Sequence, residues 1–226
     1  MPLEFYPDGF PRMHTVLPDG AEQGRVRIVH ETPTEEEARL TMLRVMIGKR
    51  GGVQAGQTIC QVWSGKRLWM SDTRDERSDH WRARLMARSY GGHVLIGGLG
   101  LGMFALACAL EEKVERVTVI EINPDVIALV LPYLRAALEE KGIDPDKIEV
   151  IEADLMEWKP PKGERYDVIW FDIWPDLCLD HLPEYQKLNR RYGRRTKGWR
   201  GLWGEDILKR HQREEKKRGR YGYRWF

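Results

Sequence analysis

The chain has 226 residues, of which 42% are hydrophobic and 32% charged, with a formal net charge of +2. That balance excludes a disordered chain and fits a soluble globular protein with one sizeable core and a small appendage. Cys60, Cys108 and Cys178 are odd in number and widely spaced, which argues against a disulfide framework or a zinc site and leaves a reducing cytoplasm as the expected setting.

Along the chain, the opening MPLEFYPDGFPRMH carries acidic residues and prolines where a signal peptide needs a basic flank and an apolar stretch, so no export signal is expected. TEEEARLTMLRVMIGK, residues 34–49, has the spacing of an amphipathic helix capped by Thr34, packing on the body or on a sister subunit. QTICQVWSGKRLWMSD alternates around Ser64-Gly65-Lys66 and predicts a β-hairpin. A helix over 76–90 follows, with Asp72 or Thr73 as its cap.

Residues 94–110 are uncharged, but 17 residues with Gly97, Gly98, Gly100 and Gly102 in their midst suit a membrane span poorly. A buried aliphatic strand (VLI), a tight glycine loop and a helix (MFALACALEEK) fit better. VERVTVIE then reads as a strand, and residues 123–142 as a helix with Asn123 as cap, Pro124 in its first turn and Gly142 at its close. KIEVIEADLMEW and YDVIWFDIWPD give two more strands, each followed by acidic residues. Strands alternating with helices imply βαβ units and a parallel sheet whose ligand lies beyond the strands' carboxyl ends. Glu121, 23 positions after Gly98, is placed to accept both hydroxyls of a ribose. Asp154 is placed to accept from an adenine amino group, and Asp172 points at whatever reacts. A plain turn and ordinary helix caps are the bland reading of the same residues.

After Asp176 no aliphatic strand run remains, so the parallel sheet is expected to be truncated at its C-terminal side, with an edge covered by a homodimer partner or by the hairpin. The rest reads as two polar helices with turns at Gly193 and over 198–204. Residues 187–226 hold 15 Lys and Arg against 4 Asp and Glu. This tail, interleaved with Trp199, Trp203, Tyr221, Tyr223 and Trp225, suits either a nucleic acid or packing back onto the acidic body. Asp176, Asp180 and His181 lack a second histidine at ligand spacing, so no metal site is expected.

The motifs GGLGLG, VIEINPDVI, EADLMEW and YDVIWFDIWPD resemble the successive motifs of class I S-adenosylmethionine-dependent methyltransferases, and within that superfamily most resemble the spermidine synthase branch, over about residues 71–176. The resemblance implies a Rossmann-like α/β fold with S-adenosylmethionine as cofactor. It places Gly97, Gly98, Gly100 and Gly102 along the methionine part, Glu121 and Ile122 at the ribose, and Asp154 with Leu155 at the adenine. Arg74, Asp75, Glu76 and His80 reproduce the branch's RDE-x-x-x-H pattern, so Glu76, His80, Asp172 and Asp176 are the implied catalytic residues. Gly100 stands where spermidine synthases carry an aspartate for the amine of the decarboxylated cofactor, and Asp79 replaces a tyrosine. Asp172-Ile173-Trp174-Pro175-Asp176 widens the carboxylate spacing of the reaction loop from three to four. Methyl transfer to an unknown acceptor is therefore expected ahead of aminopropyl transfer, with a non-catalytic nucleoside-binding protein as a third reading. The expected organisation is an N-terminal β unit with flanking helices (1–85), a Rossmann-like core (86–180) and a basic, aromatic-rich helical tail (181–226), with no membrane span.

Overall fold

The computed structural model of the protein describes residues 2–46 and 52–222, with side chains except those of Arg44 and of residues 216–222. Strands β1 (Glu22–Gln23) and β2 (Val26–Glu31) precede helix α1 (Glu35–Met46), and hairpin strands β3 (Ile59–Ser64) and β4 (Arg67–Ser71) precede α2 (Arg74–Tyr90). The core follows as β5 (Gly92–Gly97), α3 (Met103–Ala109), β6 (Val114–Glu121), α4 (Pro124–Glu140), β7 (Ile148–Glu152) and β8 (Tyr166–Phe171). Then come α5 (Leu182–Tyr192), β9 (Thr196–Leu202) and α6 (Glu205–Gly222).

Five strands in the order β7-β6-β5-β8-β9 form one parallel sheet, and β1-β2-β3-β4 form a small antiparallel sheet. The fold is Rossmann-like α/β. Its strand order reverses between β5 and β8, where Gly97 pairs with both Ile120 and Phe171, so the ends of β5, β6 and β8 open on one crevice. Side chains alternate across the sheet. Val94, Ile96, Val117, Val119, Val168 and Trp170 pack with residues of α2, α3 and α4. Leu95, Ile120, Ile169, Phe171 and Leu202 pack with Leu182, Tyr185, Leu188 and Tyr192 of α5 and with Leu208 of α6. Burial on both faces explains the near-continuous apolar strands.

The expected cap of α4 is present: Asn123 Oδ1 accepts from Asp125 N at 3.0 Å, and Pro124 opens the helix. Thr34 caps α1 reciprocally with Glu37, each side chain bonding the other's backbone amide. Residues 47–49 of the helix expected there lie outside the described residues. Leu40, Met42, Leu43 and Met46 of α1 are exposed.

Two expectations are corrected. The tail is not helical throughout, because β9 runs parallel to β8 as a fifth strand of the sheet. β9 lacks an aliphatic run. Leu202 packs on the α5 face, while Trp199, on the opposite face, stacks its ring on Trp170 with centroids 6.1 Å apart, and Gly198 leaves room for the Tyr90 ring. The small sheet packs on α4 through β1 and β2. The second correction concerns Asp72. It does not cap α2; Thr73 is the N-cap residue and its side chain makes no capping bond. Asp72 is fully buried and accepts from Cys60 N at 2.7 Å and Met13 N at 3.0 Å. It thereby ties the N-terminal segment, the hairpin and the start of α2 together. Burial pushes its carboxyl up, and the two amide bonds pull against that. Val26, Ile28, Cys60 and Val62 belong to the same buried cluster as Val94 and Val117, so the two sheets share a core. Among the described residues no helix is long and apolar enough to cross a membrane.

Asp72→Ala leaves two buried amides without an acceptor and is expected to cost about 3 kcal/mol, read by urea unfolding, with Asp72→Asn intermediate because it keeps one acceptor. His93, on β5, is held down to about 4 from an ordinary 6.5, chiefly by burial and then by Arg116. Lys197 acts in the same direction, while Asp167 and Glu149 oppose it. Below pH 6.5 the unfolded chain binds a proton that the folded one refuses, so stability is full above that value and falls as pH drops toward 4, by at most about 3 kcal/mol. Thermal melts of His93→Asn across this window should show a flatter pH dependence than the parent.

Candidate active site

A cavity of about 420 Å³ opens at the carboxyl ends of the central strands. Gly98, Leu99 and Gly100 form its floor, Glu121, Ile122, Asp154 and Leu155 one wall, and Glu76, His80, Asp172 and Trp174 another. Nine of the twelve residues singled out in the sequence line it: Gly98, Gly100, Glu121, Ile122, Asp154, Leu155, Glu76, His80 and Asp172. Gly97, Gly102 and Asp176 do not.

The glycines have packing reasons for their type. Gly98 has φ +91° and faces the end of β8, where a Cβ would collide with the Asp172 carbonyl oxygen. At Gly100, with φ +52°, a Cβ would collide with Met70 Sδ of β4. The glycine loop therefore fits against the loop after β8 on one side and the hairpin on the other. Gly97 is crowded by Leu155 and Phe171, and Gly102 by Leu134 and Val130 of α4, which keeps both out of the cavity wall.

Glu121 ends β6 and is 9% exposed. Its Oε2 accepts from Leu99 N at 2.7 Å and its Oε1 from Asn123 N at 2.9 Å. Each carboxylate oxygen keeps acceptor capacity toward the cavity. Asp154 Oδ1 accepts from Met156 N at 2.7 Å, and its carbonyl accepts from Glu157 N and Trp158 N, so the turn reading and the wall position hold together.

Across the cavity, Trp170 Nε1 donates to His80 Nδ1 at 3.0 Å. An indole nitrogen can only donate, so in neutral His80 the hydrogen sits on Nε2, which faces Asp172 Oδ2 at 3.6 Å. The His80 ring also stacks on Phe104, with centroids 5.3 Å apart. The Nε2 side of His80 thus faces the Asp172 carboxylate, at ion-pair rather than hydrogen-bond distance. Asp176 turns away and pairs with His181 Nε2 at 3.4 Å. Among the described residues no group of three or more His, Cys, Asp or Glu could hold a metal ion.

Sequence reasoning missed the aromatic rim. Trp69, 54% exposed on β4, and Trp203, at the end of β9, both line the cavity, as does Glu184, which accepts from Trp174 Nε1 at 2.6 Å. Trp69 was visible as an exposed tryptophan on an alternating strand. Glu184 carried no such signal; Trp203 stood out only among the tail aromatics suited to a nucleic acid or to packing back onto the body, and the folding-back of the tail brings both in. Asp79 accepts from Trp203 Nε1 at 2.7 Å and anchors that fold-back to α2. Trp174 stacks on Tyr185 with centroids 3.8 Å apart, and burial with the nearby Asp172 carboxylate pushes the Tyr185 phenol up, so it stays a neutral donor to the Trp203 carbonyl.

No family model and no curated protein matches the chain. Among solved structures it is similar to the Trypanosoma brucei PRMT1 enzyme–prozyme heterotetrameric complex with AdoHcy (18% identity, TM-score 0.32, 43% of this chain and 28% of that one). It is also similar to Arabidopsis thaliana protein arginine methyltransferase 10 (21%, 0.39, 53% and 33%) and to the SAH-bound Podospora anserina methyltransferase PaMTH1 (22%, 0.37, 54% and 49%). The chain spans about a third of the length of the first two. The fold rests on the strand order, and no activity is carried over from likenesses this distant.

Gly98→Ala forces a positive φ on alanine and drives a methyl into the Asp172 carbonyl. It should cost about 2 kcal/mol or more in urea unfolding. Gly163→Ala, at φ +86° with open space around the added methyl, should cost about 1 kcal/mol.

Proposed function

We propose that the protein is an S-adenosylmethionine-dependent methyltransferase. The observation that carries this reading is the charge and shape of the crevice. Five carboxylates (Glu76, Glu121, Asp154, Asp172 and Glu184) line it against one arginine, Arg67, and two histidines. Such a lining suits a cationic nucleoside and disfavours the phosphates of a dinucleotide. Glu121, with both oxygens anchored and capacity to spare, would hold the ribose hydroxyls. Ile122 and Leu155 offer apolar surface for a flat base, with Asp154 at its edge, and Gly98 to Gly100 would run beside the amino-acid part. The bound cofactor supplies a methyl carbon made electrophilic by a sulfonium charge.

The chain's own residues do the rest. Asp172 orients the acceptor and takes its proton. His80, oriented by Trp170, turns Nε2–H toward that carboxylate at 3.6 Å and adds a local dipole beside it. Trp69, Trp174 and Trp203 wall the acceptor side and limit water. Gly100, at the position of the branch's amine-binding aspartate, favours methyl over aminopropyl transfer. The runner-up, an aminopropyltransferase of the spermidine synthase type, draws on one observation: Glu76 and His80 of the RDE-x-x-x-H pattern line the cavity beside Asp172.

Calorimetric titration with S-adenosylmethionine and with its decarboxylated form tests the reading. Tighter binding of the intact cofactor is expected, lost by a factor of about 100 or more in Glu121→Ala and retained in Asp172→Asn. Preference for the decarboxylated form would favour the runner-up, and unchanged binding in Glu121→Ala would sink the ribose assignment.

A further inference from the structure

The basic charge of the tail is divided by the fold into two parts. Arg191 Nη1 donates to the Leu155 and Trp158 carbonyls, and Arg195 Nη1 to those of Pro161 and Glu164. Lys187 pairs with Glu157 at 3.0 Å and Lys197 with Asp167 at 3.3 Å. These four cations fasten the tail to the body.

Arg190, Arg200 and Lys209 do something else. They line a second cavity of about 490 Å³ between α5, β9 and the start of α6, together with Gln186, Asn189 and Gln212. Glu205 is the carboxylate in that lining, and it is already engaged by Asn189 Nδ2 at 2.7 Å and Lys209 Nζ at 2.7 Å. Asn189 Oδ1 in turn accepts from Arg200 Nε at 2.9 Å and aims the guanidinium. Three cations against one carboxylate leave the groove with a net positive charge. Amide donors and acceptors interleaved with cations suit phosphate oxygens.

The groove adjoins the candidate active site. Tyr185 lines the groove, and its ring stacks on Trp174, which lines the site cavity. One stacked pair of rings separates the two. On the far side the exposed Trp69 offers a face on which a base can stack, with Arg67 over its ring at 5.7 Å. A duplex has no free base faces to present to such rings.

We propose that the groove between α5, β9 and α6 binds the phosphate backbone of a single-stranded nucleic acid, whose bases face the tryptophans of the neighbouring cavity. The proposal concerns binding and holds whether or not the cavity transfers a methyl group.

Fluorescence anisotropy of the full chain with a labelled single-stranded RNA, and with DNA of the same sequence, provides the test. Log affinity should fall linearly with log salt. Three phosphate contacts give a slope of about −2, or about 20-fold weaker binding between about 50 and 200 mM KCl. Arg190→Ala combined with Lys209→Ala, both exposed side chains, should reduce the slope by about 1.4 and the loss over that range to about threefold. Circular dichroism confirms that the variant is folded, and Lys113→Ala, an exposed cation ahead of β6, should bind as the parent does. Tighter binding of one strand type than the other would name the backbone recognised. Several results would overturn the proposal: no binding of either strand at low salt, an unchanged slope in the folded double variant, an equal loss in Lys113→Ala, duplex bound as tightly as single strand, or full displacement by an equimolar amount of inorganic tripolyphosphate.

Discussion

The Glu121 carboxylate is the joint on which the site depends. By accepting from Leu99 N and Asn123 N it links the glycine loop after β5 to the end of β6 and the cap of α4. Hydrogen bonds to a charged acceptor contribute about 1.5–3 kcal/mol each, enough to hold a loop rich in positive-φ glycines in one conformation. The carboxylate that fixes the loop also faces the cavity, so the shape of the floor and the chemistry of the wall have one origin. Substitution there changes both together.

A second constraint comes from Trp170. Its indole N–H sets the tautomer of His80, while its ring packs against Phe104 and Trp199. One residue of β8 thus connects α2, α3 and the edge strand β9 to the Asp172 side of the cavity. The tail completes the arrangement. It adds β9 to the sheet and brings Trp203 and Glu184 to the rim, and its cations divide between clamping the body and lining a separate groove.

Much of this was legible in the sequence because it depends on local chemistry. Aliphatic runs such as VIWF mark strands buried on both faces, Asn123-Pro124 marks a helix start, and an acidic residue at a strand end marks the crevice. What escaped depends on distant partners. β9 is held by pairing with β8 and by the Trp199–Trp170 stack, neither of which leaves an aliphatic pattern in TKGWRGL. The role of Asp72 is set by backbone donors 12 and 59 residues away, so beside α2 it read as a cap. Asp176 looked equivalent to Asp172 by spacing, yet the loop turns between them and delivers it to His181. β2 was readable from the alternation of Val26 and Ile28, and the hairpin alone drew the reading.

The most direct test of the central claim is a crystal structure of the protein grown with S-adenosylhomocysteine. The account expects the ribose hydroxyls on the Glu121 carboxylate, the adenine against Ile122 and Leu155 with its amino group toward Asp154, and the amino-acid portion beside Gly98 and Gly100. A nucleoside seated elsewhere, or bound in the crevice with no contact to Glu121, would contradict it.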